Sequence, residues 1–172
     1  QMCIRDRDIH EYQAKKILNT FGAQIQRGYV ASTAKQATEI AKKLQKETGT
    51  QYFVIKAQIH AGGRGKGGGV KLAKSIHEVY KVSSEILGMN LVTPQTPKHG
   101  KKVYQILIAE DVYYEGDSKI EEFYISILLN RSSSKNMIMY SPEGGIDIEA
   151  VAEKTPELIF NFDICPKAVS YT

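Results

Sequence analysis

The chain has 172 residues, 42% hydrophobic and 24% charged, a globular composition that fits one large domain or two small lobes and excludes bulk disorder. Twenty-three Lys and Arg against 19 Asp and Glu give a net charge of +4, too little to imply a nucleic-acid partner unless the charge clusters. No apolar run approaches the roughly 18 residues of a membrane helix. No charged-then-apolar leader opens the chain, and Cys3 and Cys165 have no metal or redox spacing, so a reducing, cytoplasmic setting away from membranes is expected.

Gln1 to Arg7 shows no periodicity and reads as an extension outside the fold. Asp8 with Glu11 three residues on predicts a capped helix start. Ala14, Ile17, Leu18 and Phe21 then recur at i, i+3, i+4 and i+7 as a core-facing stripe, and Gly22 ends the run. An extended piece follows over 25–31. A second helix is expected over 33–46, with Ala37, Ile40, Ala41 and Leu44 on one face, Gly49 behind it, and Lys35, Lys42, Lys43 and Lys46 on a solvated face. Residues 52–59 read as a strand and 70–73 as a returning one. Ser75 with Glu78 opens a third helix carrying Val79, Val82 and Ile86, closed by Gly88. Residues 93–100 hold two prolines and read as a loop, 103–109 as a buried strand, and 110–119 as a turn-rich stretch. Residues 122–130 and 136–140 form a hairpin by composition. A second glycine loop over 141–145, a short helix over 147–154 limited by Pro156, and a strand over 158–164 complete the pattern. The class is α+β: a first lobe over 8–110, then a second over 111–172 that breaks off without a closing signal.

Between the strands at 52–59 and 70–73 lie six glycines in nine residues, 61–69. Ordering such a run is costly, because glycine loses the most backbone freedom on folding. Close approach of backbone N–H groups to phosphates is the common compensation, and Arg64 and Lys66 add positive charge there. A P-loop is excluded: Gly67 follows Gly65-Lys66 where a hydroxyl residue is needed, and His60 stands in place of the first glycine. The letters of a dinucleotide fingerprint are present at Gly63, Gly65 and Gly68, but that motif must open a helix and 70–73 reads as extended. Gly63 to Val70 fits G-x-G-x-x-G-x-V, a hairpin loop over ATP phosphates, yet no H-R-D or D-F-G follows. Lys56, in the strand entering this loop, either snorkels to water or neutralises a phosphate; the loop beside it favours the phosphate.

At these residues the sequence resembles the β subunits of ADP-forming succinate–CoA ligases. The stretches carrying the resemblance are Asp8-Ile-His-Glu-Tyr-Gln-Ala-Lys15, Val54-Ile-Lys-Ala-Gln-Ile-His-Ala-Gly-Gly-Arg-Gly-Lys66, Gly68-Gly-Val-Lys-Leu72, Leu87-Gly88, Leu91-Val-Thr93, Gln95-Thr96, Glu143-Gly-Gly-Ile-Asp-Ile-Glu149 and Val151-Ala-Glu-Lys-Thr-Pro-Glu157. The resemblance implies an ATP-grasp fold, its first lobe complete and its second truncated. It implies the reaction succinate + CoA + ATP ⇌ succinyl-CoA + ADP + phosphate, in the tricarboxylic acid cycle. It also implies an α subunit that carries CoA, the acid and a phosphorylated histidine; none of His10, His60, His77 or His99 is expected to be that nucleophile, and no catalytic residue is expected within 1–172. By the same resemblance Lys56 binds phosphate, and Gly63, Arg64 and Gly65 cover the phosphates. Backbone groups at Ala109, Glu110 and Val112 hold adenine, and Glu122 hydrogen-bonds the ribose. Ala109 and the length of 111–121 depart from the commonest pattern, which bears most on Val112. The family's Mg²⁺ ligands, an Asn and an Asp, are expected beyond Thr172. The rival readings are a non-catalytic ATP-binding module, a malate–CoA ligase or ATP-citrate lyase relative, and a basic nucleic-acid binder, for which no aromatic–basic interleaving exists.

Overall fold

The computed structural model describes residues 8–113, 120–144 and 148–164, without the side chain of Glu149. The Gln1–Arg7 extension, both cysteines, Asp147 and most of the 110–119 turn region lie outside the described residues. The chain divides into two compact units after Tyr114.

The first unit is built on a four-stranded antiparallel sheet ordered β1-β6-β2-β3, with β1 at Gly28–Ala31, β2 at Phe53–Ala57, β3 at Val70–Ala73 and β6 at Ile106–Glu110. Helices α2 (Ala34–Thr48) and α3 (Ile76–Ile86) pack against it and against each other. Their ends follow the sequence closely. The Thr33 hydroxyl accepts from the Gln36 N–H, and Gly49, at φ +74°, closes α2 in the left-handed conformation that favours glycine. Ser75 accepts from the Glu78 N–H while the Glu78 carboxylate takes the Lys74 N–H at 2.7 Å. Ala37, Ala41, Leu44, Val79 and Ile86 from the helices meet Phe53, Ile55, Ala57, Ile106 and Ile108 from the sheet in one core.

Strand β2 alternates: Phe53, Ile55 and Ala57 are buried, while Val54 and Lys56 are only partly so. Lys56 therefore belongs to the sheet's second face, away from α2 and α3, rather than to a strand buried on both sides. A two-stranded ladder absent from the sequence reading, β4 (Asn90–Leu91) with β5 (Lys101–Lys102), brackets the proline loop. Strand β6 begins at Ile106 rather than 103.

Helix α1 (Glu11–Thr20) corrects two expectations. Its N-cap is His10 rather than Asp8, and the Gln13 side chain accepts from the His10 N–H at 2.8 Å. Its apolar stripe does not face the core: none of its residues is buried, and Phe21 just beyond it is 84% exposed. The polar contacts of Glu11 and Lys15 hold the first turn against the second face of the sheet, and this turns Ile17 and Leu18 outward.

The second unit contains an antiparallel sheet ordered β7-β8-β9, with β7 at Tyr124–Asn130, β8 at Lys135–Ser141 and β9 at Phe160–Ile164. Ser134, at φ +52°, turns the β7–β8 hairpin. Helix α4 (Ile148–Lys154) contributes the buried Val151 and leads into a 3-10 turn at Pro156–Leu158.

Candidate functional site

The glycine run is the connection of the antiparallel β2–β3 hairpin. Because Val70–Ala73 is a strand, the dinucleotide fingerprint has no helix to open and is excluded by the fold. The loop closes on itself, Ala57 N–H donating to Gly69 O at 2.7 Å and Gly69 N–H to Arg64 O at 2.8 Å. It also lies on the segment after β4: Gly62 N–H donates to Gln95 Oε1 at 2.6 Å, and a Cβ at Gly67 would stand 2.3 Å from the Val92 carbonyl oxygen. Part of the glycine content is thus set by packing rather than by a ligand. Gly65 differs, since a Cβ there would meet nothing within 4 Å.

Glu11 collects the cations of this region. Its Oε1 accepts from Lys56 Nζ at 3.2 Å and lies 3.0 Å from Lys15 Nζ, and its Oε2 takes Arg64 Nη2 at 2.7 Å. Arg64 is also anchored through Nη1 to the Ala57 carbonyl at 2.7 Å. Lys56 and Lys15 each reach Gln26 Oε1 at 2.9 Å, and Gln26 Nε2 donates to the Glu110 carbonyl at 2.5 Å. The helix start, β2, the glycine loop and the end of β6 are therefore tied by one polar network.

Its electrostatics follow from three cations sharing one carboxylate. Burial alone raises the Glu11 carboxyl, but Lys56, Lys15 and Arg64 overcome it and hold the group at about 2. Burial lowers the Lys56 ammonium below the usual lysine range; Glu11 opposes this, and the neighbouring Lys15 and Arg64 reinforce it. Burial, then His60 and Arg64, lower His10, whose ring stacks on His60 at 3.9 Å between centroids. Partly buried, clustered cations beside a glycine loop have donors of the kind that can pair with the oxygens of a polyanion.

Of the expected site residues, Lys56, Gly63, Arg64 and Gly65 fall in this one region, with Lys56 and Arg64 joined through Glu11. Ala109 lies within β6 between β1 and β2, its Cα opposite Gly28 and Val54. The Glu110 N–H donates to Arg27 O at 3.0 Å, and its carboxylate accepts from the Arg27 N–H at 2.7 Å. Val112 is exposed just past β6. Glu122 is in the second unit, exposed ahead of β7, its carbonyl accepting from the Gly144 N–H at 2.8 Å. Sequence reasoning assigned no function to Glu11, Lys15 or Gln26. The i, i+4 spacing of Glu11 and Lys15 was the available signal, but it reads equally as a surface helix pair.

A family model described as the ATP-grasp domain matches residues 8–170. The chain is 65% identical over 159 residues to the ADP-forming succinate–CoA ligase subunit beta of Christiangramia forsetii and 61% identical over 159 residues to that of Flavobacterium johnsoniae. Each alignment covers 92% of this chain and 40% of the relative, so the chain spans about 40% of the length of these curated relatives. Among solved structures, the ATP citrate lyase of Methanothrix soehngenii, in complex with citrate and coenzyme A, matches with a TM-score of 0.62 at 17% identity, over 95% of this chain and 37% of that one. A dinucleotide-forming acetyl-coenzyme A synthetase from Ca. Korarchaeum cryptofilum matches with a TM-score of 0.52 at 22% identity, over 82% of this chain and 55% of that one. At those identities the structures speak for the fold alone. The strand–glycine loop–strand hairpin and a family match running through every described residue lead to one assignment: the chain belongs to the ATP-grasp family.

Proposed function

We propose that this chain is the nucleotide-binding part of the β subunit of an ADP-forming succinate–CoA ligase, which converts succinate, CoA and ATP to succinyl-CoA, ADP and phosphate. The observation that carries the reading is the 65% identity to such a subunit over 159 residues. The cationic cluster and glycine loop support it, because they supply what the triphosphate end of the nucleotide requires. In this reading Lys56 and Arg64 take phosphate oxygens and Gly63 to Gly65 lie over them. The end of β6 from Ala109 through Glu110 to Val112 receives adenine, and Glu122 the ribose. The acid and CoA reach the reaction through an α subunit, and the cytoplasm is the setting.

Mg²⁺ accompanies nucleotide in such a reaction, where it supplies charge neutralisation between phosphates. Among the described residues no group of three His, Cys, Asp or Glu side chains comes together to hold a metal. By the resemblance to the ligase β subunits, our reading assigns the metal to an Asn and an Asp outside residues 1–172, and no step here passes through it. The residues present bind and orient the nucleotide: they pair the phosphate charge, and the hairpin loop shields it from water.

The test is the protein purified together with an α subunit and supplied with succinate, CoA and ATP. Thioester formation together with ATP-dependent phosphorylation of the α subunit is expected when these residues are part of the full-length subunit, whereas residues 1–172 alone are expected to bind ATP weakly and to form no thioester. Nucleotide binding without either activity, from a folded complex of the full-length subunit, points to a non-catalytic nucleotide module instead.

A further inference from the structure

The nucleotide reading gives Glu11 no task, yet this one carboxylate touches both cations on which that reading depends. Lys56 Nζ stands 3.2 Å from Oε1 and Arg64 Nη2 2.7 Å from Oε2. These side chains are sheltered, with relative exposures of 19% for Lys56, 19% for Glu11 and 21% for Arg64. Three cations this close repel one another, and a sheltered ammonium without a counter-charge is costly.

We propose that Glu11 is an internal stand-in for a nucleotide phosphate: it occupies Lys56 and Arg64 while the site is empty and is exchanged for a phosphate group when a nucleoside triphosphate binds. The proposal rests on the reading of Lys56 and Arg64 as phosphate ligands and adds the residue that competes with the substrate. The geometry suits an exchange. When Glu11 leaves, Lys56 keeps Gln26 Oε1 at 2.9 Å, and Arg64 keeps the Ala57 carbonyl at 2.7 Å through its other edge. Each cation thus retains a neutral partner that fixes its place and offers its freed donors to the incoming oxyanion. Carboxylate and phosphate oxygens accept from ammonium and guanidinium at the same distances. A triphosphate brings more charge than one carboxylate, so it displaces Glu11, whereas a nucleoside without phosphates does not. The same contact ties the glycine loop, through Arg64, to the start of α1, so the exchange also releases the loop from that helix.

The experiment compares binding of inorganic tripolyphosphate, ATP and adenosine to the purified protein and to its Glu11→Gln and Lys56→Met variants, with folding checked by thermal melting. Glu11→Gln keeps the shape and removes the competing charge. Tripolyphosphate and ATP should bind it tighter by about tenfold, the scale of one unit charge removed at this range, with adenosine unchanged. Tripolyphosphate binding that is equal or weaker overturns the proposal and makes Glu11 a residue that merely positions the cations. Lys56→Met separates the two layers. If it weakens tripolyphosphate binding while Glu11→Gln has no effect, the stand-in is wrong and the phosphate site stands; if neither variant changes binding, both readings fall. A second measurement needs no variant: the Glu11 side-chain carboxyl is followed by carbon NMR through acid titration, with and without tripolyphosphate. Its titration should move toward ordinary carboxylate values as the ligand takes its cations, and an unmoved titration overturns the exchange.

Discussion

Glu11 and Arg64 are 53 positions apart in the chain and meet at 2.7 Å, joining the first residue of α1 to the middle of the glycine loop. The contact has a cost and a return. Burial disfavours the Glu11 charge, and the three surrounding cations restore it with enough surplus to hold the carboxyl at about 2, against an ordinary 4.5. The helix is seated by this pairing rather than by apolar burial, which explains why the hydrophobic stripe of α1 faces solvent.

An acid dependence of stability follows, and its sign is fixed by the lowered group. A carboxyl depressed in the folded state contributes stability above its unfolded value, near 4.5, and loses that contribution as pH falls through about 2. A lowering of this size corresponds to on the order of 3 kcal/mol. Thermal melts between pH 5 and pH 2.5 should show the Glu11→Gln variant losing distinctly less stability than the parent protein over that interval. Parallel curves would show that Glu11 does not carry the acid sensitivity.

Lys56 tests the phosphate reading directly. Lys56→Met retains the stem that lies against the second face of the sheet and removes the ammonium. Charge-assisted hydrogen bonds contribute about 1.5–3 kcal/mol each, so ATP affinity measured by calorimetry should fall by about tenfold or more. The fold should survive, because Glu11 still has Lys15 and Arg64 as partners. Unchanged affinity in a folded variant removes Lys56 from the site.

How much of this was legible in the sequence depends on the kind of signal. Caps and local periodicity worked where one face is apolar and the other solvated: Thr33, Ser75 and Gly49 stand at the helix ends that the sequence marks. The hairpin around the glycine loop was readable from β-branched and aromatic residues on both sides. Helix α1 misled because the same periodicity describes an apolar stripe whether or not anything covers it, and here the polar side carries the contacts. The two-residue ladder β4–β5 is too short to leave a pattern. Glu11 and Gln26 were invisible as site residues because their partners are brought together only by the sheet. Lys56 was legible from its place in the strand entering the glycine loop, and the alternation of β2 shows which face of the sheet it occupies.

The glycines separate into those the fold needs and one that it leaves open. Gly67→Ala places a methyl 2.3 Å from the Val92 carbonyl oxygen, so the loop must lift off the segment after β4. A loss of about 1–3 kcal/mol in stability is expected, the usual scale of an overpacked site. Gly65→Ala meets no atom within 4 Å and has no positive φ to strain. Its melting temperature should match the parent's, and any loss of ATP affinity then reports how closely a ligand approaches the loop. If Gly65→Ala binds ATP normally, the phosphates do not pass over Gly65, and that residue drops out of the site.

The loop should respond to phosphates rather than to adenine. The contacts that hold it include Gly62 on Gln95, Arg64 on Glu11 and on the Ala57 carbonyl, and the backbone bonds that close its base. Loops of this kind lie at the low-stability end of local opening, where a ligand has most to order. Amide hydrogen exchange across 62–69 should therefore slow when ATP is added. AMP brings one phosphate and cannot reach across both Lys56 and Arg64 as a triphosphate does, so it should protect these amides much less, while both nucleotides protect the end of β6 alike. The two halves of the site then separate in a single experiment, with the adenine contribution read at 109–112 and the phosphate contribution at 62–69. Equal protection of the loop by AMP and ATP would mean that its ordering follows the base, and the glycine run would lose its role as a phosphate cover.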